Sequence, residues 1–165
     1  MKKNILIITM LLLCSFLFAE KMPDFTLENS VGEEVNLYDT LNDSTIVLVD
    51  FWATWCGPCC LELPHLDNLN SKYKNLEVLA ITTDGKRTTD KAKEYIAEKG
   101  YGFTVLHDPK RAVQKLLKVK AIPVTFILAP DGEIFYDHIG YKEGDEEELE
   151  NHIKELLSKL NLNNE

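Results

Sequence analysis

The chain has 165 residues, of which 27% are charged and 45% hydrophobic, and its formal net charge is −9. One domain of ordinary size accounts for this length, and the acidic balance argues against binding to nucleic acid or to an anionic membrane. Three of the four cysteines fall together, at positions 56, 59 and 60, which indicates local chemistry rather than a framework of structural disulfides.

The N-terminus has the pattern of an export signal. Lysines stand at positions 2 and 3, residues 5–18 are apolar, and Ala19 is small. We expect cleavage after Ala19, so that residues 1–19 are a signal peptide and residues 20–165 the mature domain. Two alternatives stay open. The apolar run, shorter than the roughly 20 residues that span a bilayer, could stay uncleaved as an anchor, or Cys14 could become the lipidated end of a lipoprotein.

Strands and helices are then predicted to alternate along the chain. Residues 45–52 are nearly all β-branched or aromatic, as in a central strand covered on both faces, and apolar residues recur at helical spacing after Pro58. In order, we predict a hairpin over 23–37, a strand over 45–52, a helix over 58–73 with Pro64 inside it, a strand over 76–82, a helix over 88–99, a strand over 103–106, a helix opened by Asp108 and Pro109, paired strands over 124–128 and 133–139, and a last helix over 145–160. This order indicates an α/β fold with a mixed sheet between two layers of helices.

Cys56 and Cys59 stand between the strand over 45–52 and the helix that follows it. A Cys-x-x-Cys pair can be a redox centre, half of a zinc site, a structural disulfide or two buried thiols. No cysteine follows Cys60, so one chain cannot supply a second pair of thiolate ligands. The strand-then-helix setting favours the redox centre.

These residues resemble a known superfamily. The string Val-Asp-Phe-Trp-Ala-Thr-Trp-Cys-Gly-Pro-Cys over 49–59, the later Pro64 and the pair Ile122-Pro123 are similar to the thioredoxin superfamily. The start Pro-Asp-Phe-Thr-Leu over 23–27 and the insertion over 84–121 resemble the TlpA/ResA-like exported thiol-disulfide oxidoreductases. The resemblance implies a thioredoxin-like three-layer sandwich, a mixed β-sheet flanked by helices, with an N-terminal hairpin and a central insertion.

Within this fold the two cysteines take different roles. Cys56 lies at a helix N-terminus, where backbone N–H groups and the helix dipole stabilise a thiolate, so we expect it to attack the substrate disulfide. Cys59, one turn further along, would resolve the mixed disulfide. By the resemblance to thioredoxin, Gly57 and Pro58 between them imply a reducing centre.

Two acidic residues are candidates for proton transfer. Asp50 interrupts the apolar strand, and burial should raise its pKa and allow it to exchange a proton with Cys59. An aspartate satisfied by backbone hydrogen bonds is the alternative. Glu62 lies three residues after Cys59 on the same helix face, where TlpA/ResA-like proteins use a glutamate to tune the thiols. The alternative there is a solvated surface glutamate.

Other residues are expected around the cysteines. Ile122-Pro123 is a candidate for a cis bond, and in the family this loop lies against the cysteines and offers backbone groups to the substrate. Trp55 is expected at the rim as a substrate contact, and Trp52 in the core. Cys60 is turned about 100° around the helix from Cys59 and is expected to be partly buried and inert.

The sequence therefore predicts an exported thiol-disulfide oxidoreductase that reduces protein disulfides without a cofactor. We expect its substrates to be apocytochrome c or other secreted proteins, and its electron donor to be a membrane thiol protein. The protein is expected to be a monomer. The alternative is a copper-binding delivery module of the same fold, with Cys56, Cys59 and His138 as ligands. A peroxidase is disfavoured, because Ala53 stands where relatives with a peroxidatic cysteine have threonine. His107 and His138 are expected at the surface.

Overall fold

The computed structural model describes residues 20–162, so the predicted signal peptide lies outside the described residues. The strands are β1 (Thr26–Asn29), β2 (Glu34–Asn36), β3 (Ile46–Trp52), β4 (Leu76–Thr82), β5 (Thr104–His107), β6 (Val124–Leu128) and β7 (Ile134–Ile139). The helices are α1 (Leu37–Thr40), α2 (Gly57–Lys72), α3 (Thr89–Lys99), α4 (Ala112–Leu116) and α5 (Asp145–Lys159). Between residues 20 and 162, no helix is both long and apolar enough to cross a membrane.

The seven strands form one mixed sheet in the order β2-β1-β5-β4-β3-β6-β7. Strand β3 lies inside it, parallel to β4 and antiparallel to β6, and all seven of its residues are buried. Its side chains alternate between two hydrophobic cores: Leu48 and Trp52 belong to one, and Val49 and Phe51 to the other. Burial on both faces explains why the β3 sequence is apolar almost without interruption.

Helices cover both faces of the sheet. Helices α2, α3 and α5 contribute to the core that contains Trp52, while α1 and α4 contribute Leu37 and Val113 to the other core. Each fully buried leucine side chain, such as Leu63 of α2, contributes about 1.5–3 kcal/mol relative to an exposed one. The prediction of a thioredoxin-like three-layer fold with an N-terminal hairpin is confirmed.

The predicted start of α4 is wrong by several residues. Asp108 and Pro109 do not begin the helix, which starts at Ala112 after Arg111 in a left-handed conformation (φ 55°). Asp108 still caps it from a distance, because its carboxylate accepts the N–H groups of Ala112 and Gln114 at 2.7 and 2.9 Å. The prediction also omitted the four-residue helix α1.

The predicted surface position of His107 is also wrong. His107 is buried because β5 lies between β1 and β4, with the N-terminal hairpin on its outer side. Its Nε2 lies 3.1 Å from Ser30 Oγ, and burial lowers the pKa of its imidazole.

Candidate active site

The two cysteines form a disulfide at the N-terminus of α2. Cys56 is the N-cap residue of the helix, and its Sγ accepts the backbone N–H of Cys59 at 3.3 Å. Cys56 is 7% exposed and Cys59 only 1%. The helix N-terminus therefore offers a hydrogen bond and a positive dipole end to the sulfur of Cys56, and both favour a thiolate there after reduction.

The loop before Cys56 is held by a residue that the sequence analysis did not single out. The Asp84 carboxylate accepts the N–H and the hydroxyl of Thr54 at 2.8 and 2.9 Å, and the hydroxyl of Thr82 at 2.9 Å. Asp84 is buried. The sequence signal for this role is an acid two residues after the end of the buried strand β4, because the parallel strands β3 and β4 end at the same edge of the sheet.

The two tryptophans lie where they were expected. Trp52 is fully buried and its ring centroid is 5.8 Å from that of Tyr95, whereas Trp55 is 62% exposed beside Cys56. Gly57 and Pro58 are exposed as well. These three residues form an open surface next to the disulfide.

A second loop meets the disulfide from β6. The Ile122-Pro123 bond is cis, as predicted, and the carbonyl oxygen of Ile122 lies 3.8 Å from Cys56 Sγ. Gly140 donates its N–H to the Pro123 carbonyl at 2.8 Å, which ties the loop to the end of β7. The structure therefore brings the predicted residues Ile122 and Pro123 together with Cys56.

Asp50 and Glu62 are both buried, at 1% and 4% exposure. Their carboxylates lie at 3.3 and 3.0 Å from the same group, the hydroxyl of Thr125. The second oxygen of each carboxylate has no hydrogen-bond partner within residues 20–162. The alternative of a solvated surface glutamate at position 62 is therefore wrong, and Asp50 is not fully satisfied by backbone groups.

Burial shifts the protonation of both acids in the same direction. It raises the pKa of Asp50 well above its usual range, and the neighbouring Glu62 carboxylate raises it further, while the bond from Thr125 opposes the shift. Burial raises the pKa of Glu62 to about 7, with a smaller contribution from Asp145. Two carboxylates in one buried site resist being charged together, so the pair retains a proton near neutral pH.

Cys60 takes no part in the disulfide. It is half-buried, and its Sγ lies 4.0 and 3.9 Å from the carbonyl oxygens of Ala53 and Thr54. His138, a ligand in the copper alternative, instead places Nε2 3.2 Å from Asp145 Oδ2. In the described part of the chain, no three His, Cys, Asp or Glu side chains are grouped so that they could hold a metal ion. The structure thus offers nothing that favours the copper alternative.

The fold and the disulfide at the start of α2 define a thioredoxin-like protein with a Cys-x-x-Cys centre. The chain belongs to the AhpC/TSA family, whose model matches residues 18–137. It is 36% identical over 118 residues to the thiol-disulfide oxidoreductase ResA of Oceanobacillus iheyensis, a match that covers 68% of this chain and 59% of that protein. It is 30% identical over 137 residues to ResA of Bacillus thuringiensis, covering 83% of this chain and 77% of the relative.

A solved structure agrees with these relatives. The DsbE-type thiol:disulfide interchange protein of Chlorobium tepidum is 35% identical and superposes with a TM-score of 0.78, over 84% of this chain and 96% of that one. The chain is therefore a thiol-disulfide oxidoreductase of the ResA and DsbE type.

Proposed function

We propose that the protein is exported and reduces disulfide bonds in other proteins, with Cys56 as the attacking thiol and Cys59 as the resolving thiol. The observation that carries the proposal is the placement of Cys56. It caps α2 beside the Ile122 carbonyl, next to an exposed surface, while Cys59 is sheltered behind it.

The reaction is a two-step exchange. The Cys56 thiolate attacks one sulfur of the substrate disulfide, forming a mixed disulfide and releasing the other substrate sulfur as a thiolate. Cys59 then loses its proton and attacks Cys56 Sγ; the Cys56–Cys59 bond forms and the bond to the substrate breaks. The substrate disulfide gains two electrons, and the enzyme is left with the disulfide described above.

The substrate would bind across the surface that surrounds Cys56. The exposed face of Trp55, the small Gly57-Pro58 pair and the backbone of Ile122-Pro123 lie around the disulfide. An aromatic face suits apolar contact with a partner, and the Ile122 carbonyl beside Cys56 suits a hydrogen bond from an extended segment. An open surface of this kind suits a protein that carries an accessible disulfide.

Export, the electron donor and the client are proposed from the sequence. The pattern over residues 1–19 supports export, by which the domain would meet disulfide-containing proteins in an oxidising compartment. A reductase there needs a membrane thiol protein to regenerate its dithiol. The resemblance to TlpA/ResA-like proteins supports apocytochrome c as one client, other secreted proteins being the alternative, and the enzyme would act as a monomer.

The test is to trap the intermediate. Cys59→Ser should accumulate a mixed disulfide with a disulfide-containing model protein through Cys56, reversed by dithiothreitol, and Cys56→Ser should form none. Cys60→Ser is the matched control, because it removes a neighbouring thiol outside the disulfide. The proposal fails if Cys59→Ser forms no adduct and dithiothreitol does not reduce the Cys56–Cys59 bond of the wild type.

A further inference from the structure

A row of polar side chains crosses the sheet from its interior to its edge. In the strand register, Asp50 of β3 lies opposite Thr125 of β6, and Thr125 lies opposite His138 of β7. Directly opposed residues of neighbouring strands have their side chains on the same face. Glu62 of α2 lies over this row, since its carboxylate also contacts Thr125. The row thus begins in the core and ends at the outermost strand.

The Thr125 hydroxyl can pass a proton between the two acids. A hydroxyl has one hydrogen to donate and two lone pairs to accept with. Because its oxygen lies 3.3 Å from Asp50 Oδ1 and 3.0 Å from Glu62 Oε1, it can donate to one carboxylate while accepting from the other in its protonated form. A valine has the same shape and lacks this ability.

A small cavity continues the row toward solvent. It is lined by Glu62, Thr125, Tyr136, His138, Asp145 and Leu149, and leaves about 10 Å³ for the centre of a water molecule, which is room for about one water. The His138 side chain is 32% exposed, so one side of it reaches solvent. Histidine is the side chain whose protonation changes most readily near neutral pH.

We propose that Asp50, Glu62, Thr125 and His138 form a proton path from the dithiol centre to the edge of the sheet. The inference rests on the proposed function, in which Cys59 must lose a proton while the substrate is bound. Cys59 is only 1% exposed and has almost no direct contact with solvent, whereas the His138 side chain on β7 is 32% exposed. The Cys59 proton passes to the acid pair, then through Thr125 and the cavity to His138 and solvent. The electron pair left on Cys59 forms the bond to Cys56.

Acidic and phenolic groups face this path, and Lys142 Nζ lies 3.9 Å from Asp145 Oδ1 beside it. Besides Asp50, two groups interact electrostatically with Glu62. The Asp145 carboxylate raises the pKa of Glu62, and the Glu62 carboxylate contributes to the raised pKa of Tyr141. Tyr136 stacks beside His138, and Asp145 contacts it directly. Neither lysine nor arginine lines the cavity. Asp145 therefore gives the His138 ring a hydrogen-bonding partner at the exit of the row.

The experiment separates the two chemical steps. Reduced full-length protein is mixed with oxidised glutathione, quenched in acid at short times, and analysed by mass spectrometry, which distinguishes the mixed disulfide from the Cys56–Cys59 disulfide. Thr125→Val and His138→Gln should leave formation of the mixed disulfide unchanged and slow its resolution by about tenfold or more.

The controls test whether the hydroxyl and the imidazole themselves are needed. Thr125→Ser should resolve the mixed disulfide at the wild-type rate, and added imidazole should restore the rate of His138→Gln. His152→Gln is the matched control, since His152 stacks on Tyr136 at 3.9 Å but does not line the cavity.

Several results would overturn the proton path. One is that both Thr125→Val and His138→Gln resolve the mixed disulfide at the wild-type rate. Another is that the variants slow formation and resolution of the mixed disulfide equally. A third is that imidazole does not restore the resolution rate of His138→Gln. If Thr125→Val does not fold, the His138→Gln variant still tests the path, because the His138 side chain is partly exposed. Failure of the wild type to form any mixed disulfide would instead refute the proposed reductase function.

Discussion

Asp50 and Glu62 share one hydrogen-bonding partner, the hydroxyl of Thr125, although they belong to different elements of the fold. One hydrogen cannot serve two carboxylates at once, and both second oxygens are unpartnered among the described residues. The hydrogen-bonding needs of these three side chains are better met when one of the two acids is protonated.

Glu62→Gln should make stability less dependent on pH. The unfolded glutamate loses its proton near pH 4.3, whereas burial raises the folded pKa to about 7. Between these values the native state holds a proton that the unfolded chain has lost. The stabilisation is complete below about pH 4 and is lost as the pH rises through about 7, with an amplitude on the order of 4 kcal/mol. Urea unfolding at pH 5 and pH 8 measures the decline, which the glutamine variant should reduce.

Glu150→Gln is the control for that measurement. Hydrogen bonds from Lys72, Tyr73 and Lys154 lower the pKa of Glu150 to about 2, so its titration lies below this pH window. The variant should keep the wild-type decline between pH 5 and 8. Equal declines in wild type and Glu62→Gln would contradict the shifted ionisation.

Alanine substitutions of the two tryptophans should have different effects, one on stability and the other on activity. Trp52→Ala removes a fully buried ring and should cost about 3–5 kcal/mol in the free energy of unfolding. Trp55→Ala removes an exposed one and should change stability by less than about 0.5 kcal/mol. It should nevertheless raise KM for a disulfide-containing protein while sparing reaction with dithiothreitol. A KM equal to that of the wild type would remove Trp55 from the substrate surface.

Asp84→Ala should loosen the loop that carries Trp55 and Cys56. The change leaves the Thr54 N–H and two hydroxyls without their acceptor, which should cost about 1–3 kcal/mol. Asp84→Asn keeps one acceptor oxygen and should lose less. The denaturant midpoints of the wild type and the two variants measure these losses, and we expect the midpoint of Asp84→Asn to lie between those of the wild type and Asp84→Ala. If the alanine variant is as stable as the wild type, Asp84 does not hold the loop.

Cys60→Ser should preserve both steps of the exchange. Its sulfur faces the carbonyl oxygens of Ala53 and Thr54 and lies outside the disulfide. Iodoacetamide labelling followed by mass spectrometry should show residue 60 unpaired in the oxidised wild type, and single-turnover rates should match in the variant. A disulfide through Cys60 during turnover would assign it a role.

Local patterns predicted most of the fold. Strand β4 has the predicted bounds, and the glycine at position 100 ends α3 in a left-handed conformation, as expected of a helix stop. The start of α4 was mistaken because Asp108 caps the helix through its side chain from four residues away. That geometry depends on the path of the intervening backbone, which spacing alone does not give.

The site was predictable only where its chemistry lies in one stretch. The disulfide and the buried Asp50 follow from the string over 49–59, and the cis bond from Ile122-Pro123. The roles proposed for Thr125 and His138 could not be predicted, because they depend on the register of β6 against the distant strand β3 and against β7. His107 was misplaced for the same reason: its burial depends on which strand the N-terminal hairpin pairs with.

Strand β7 ends the sheet, and the shape of that edge bears on how the protein behaves in a crowded compartment. Its register against β6 shifts near Ile127 and Leu128, where Phe135 is the extra residue. Such a bulge twists an edge strand, and together with the exposed charge of Asp137 it discourages another strand from adding to the sheet. The bulge and the charge thereby protect the protein from joining the aggregates of other chains through this edge.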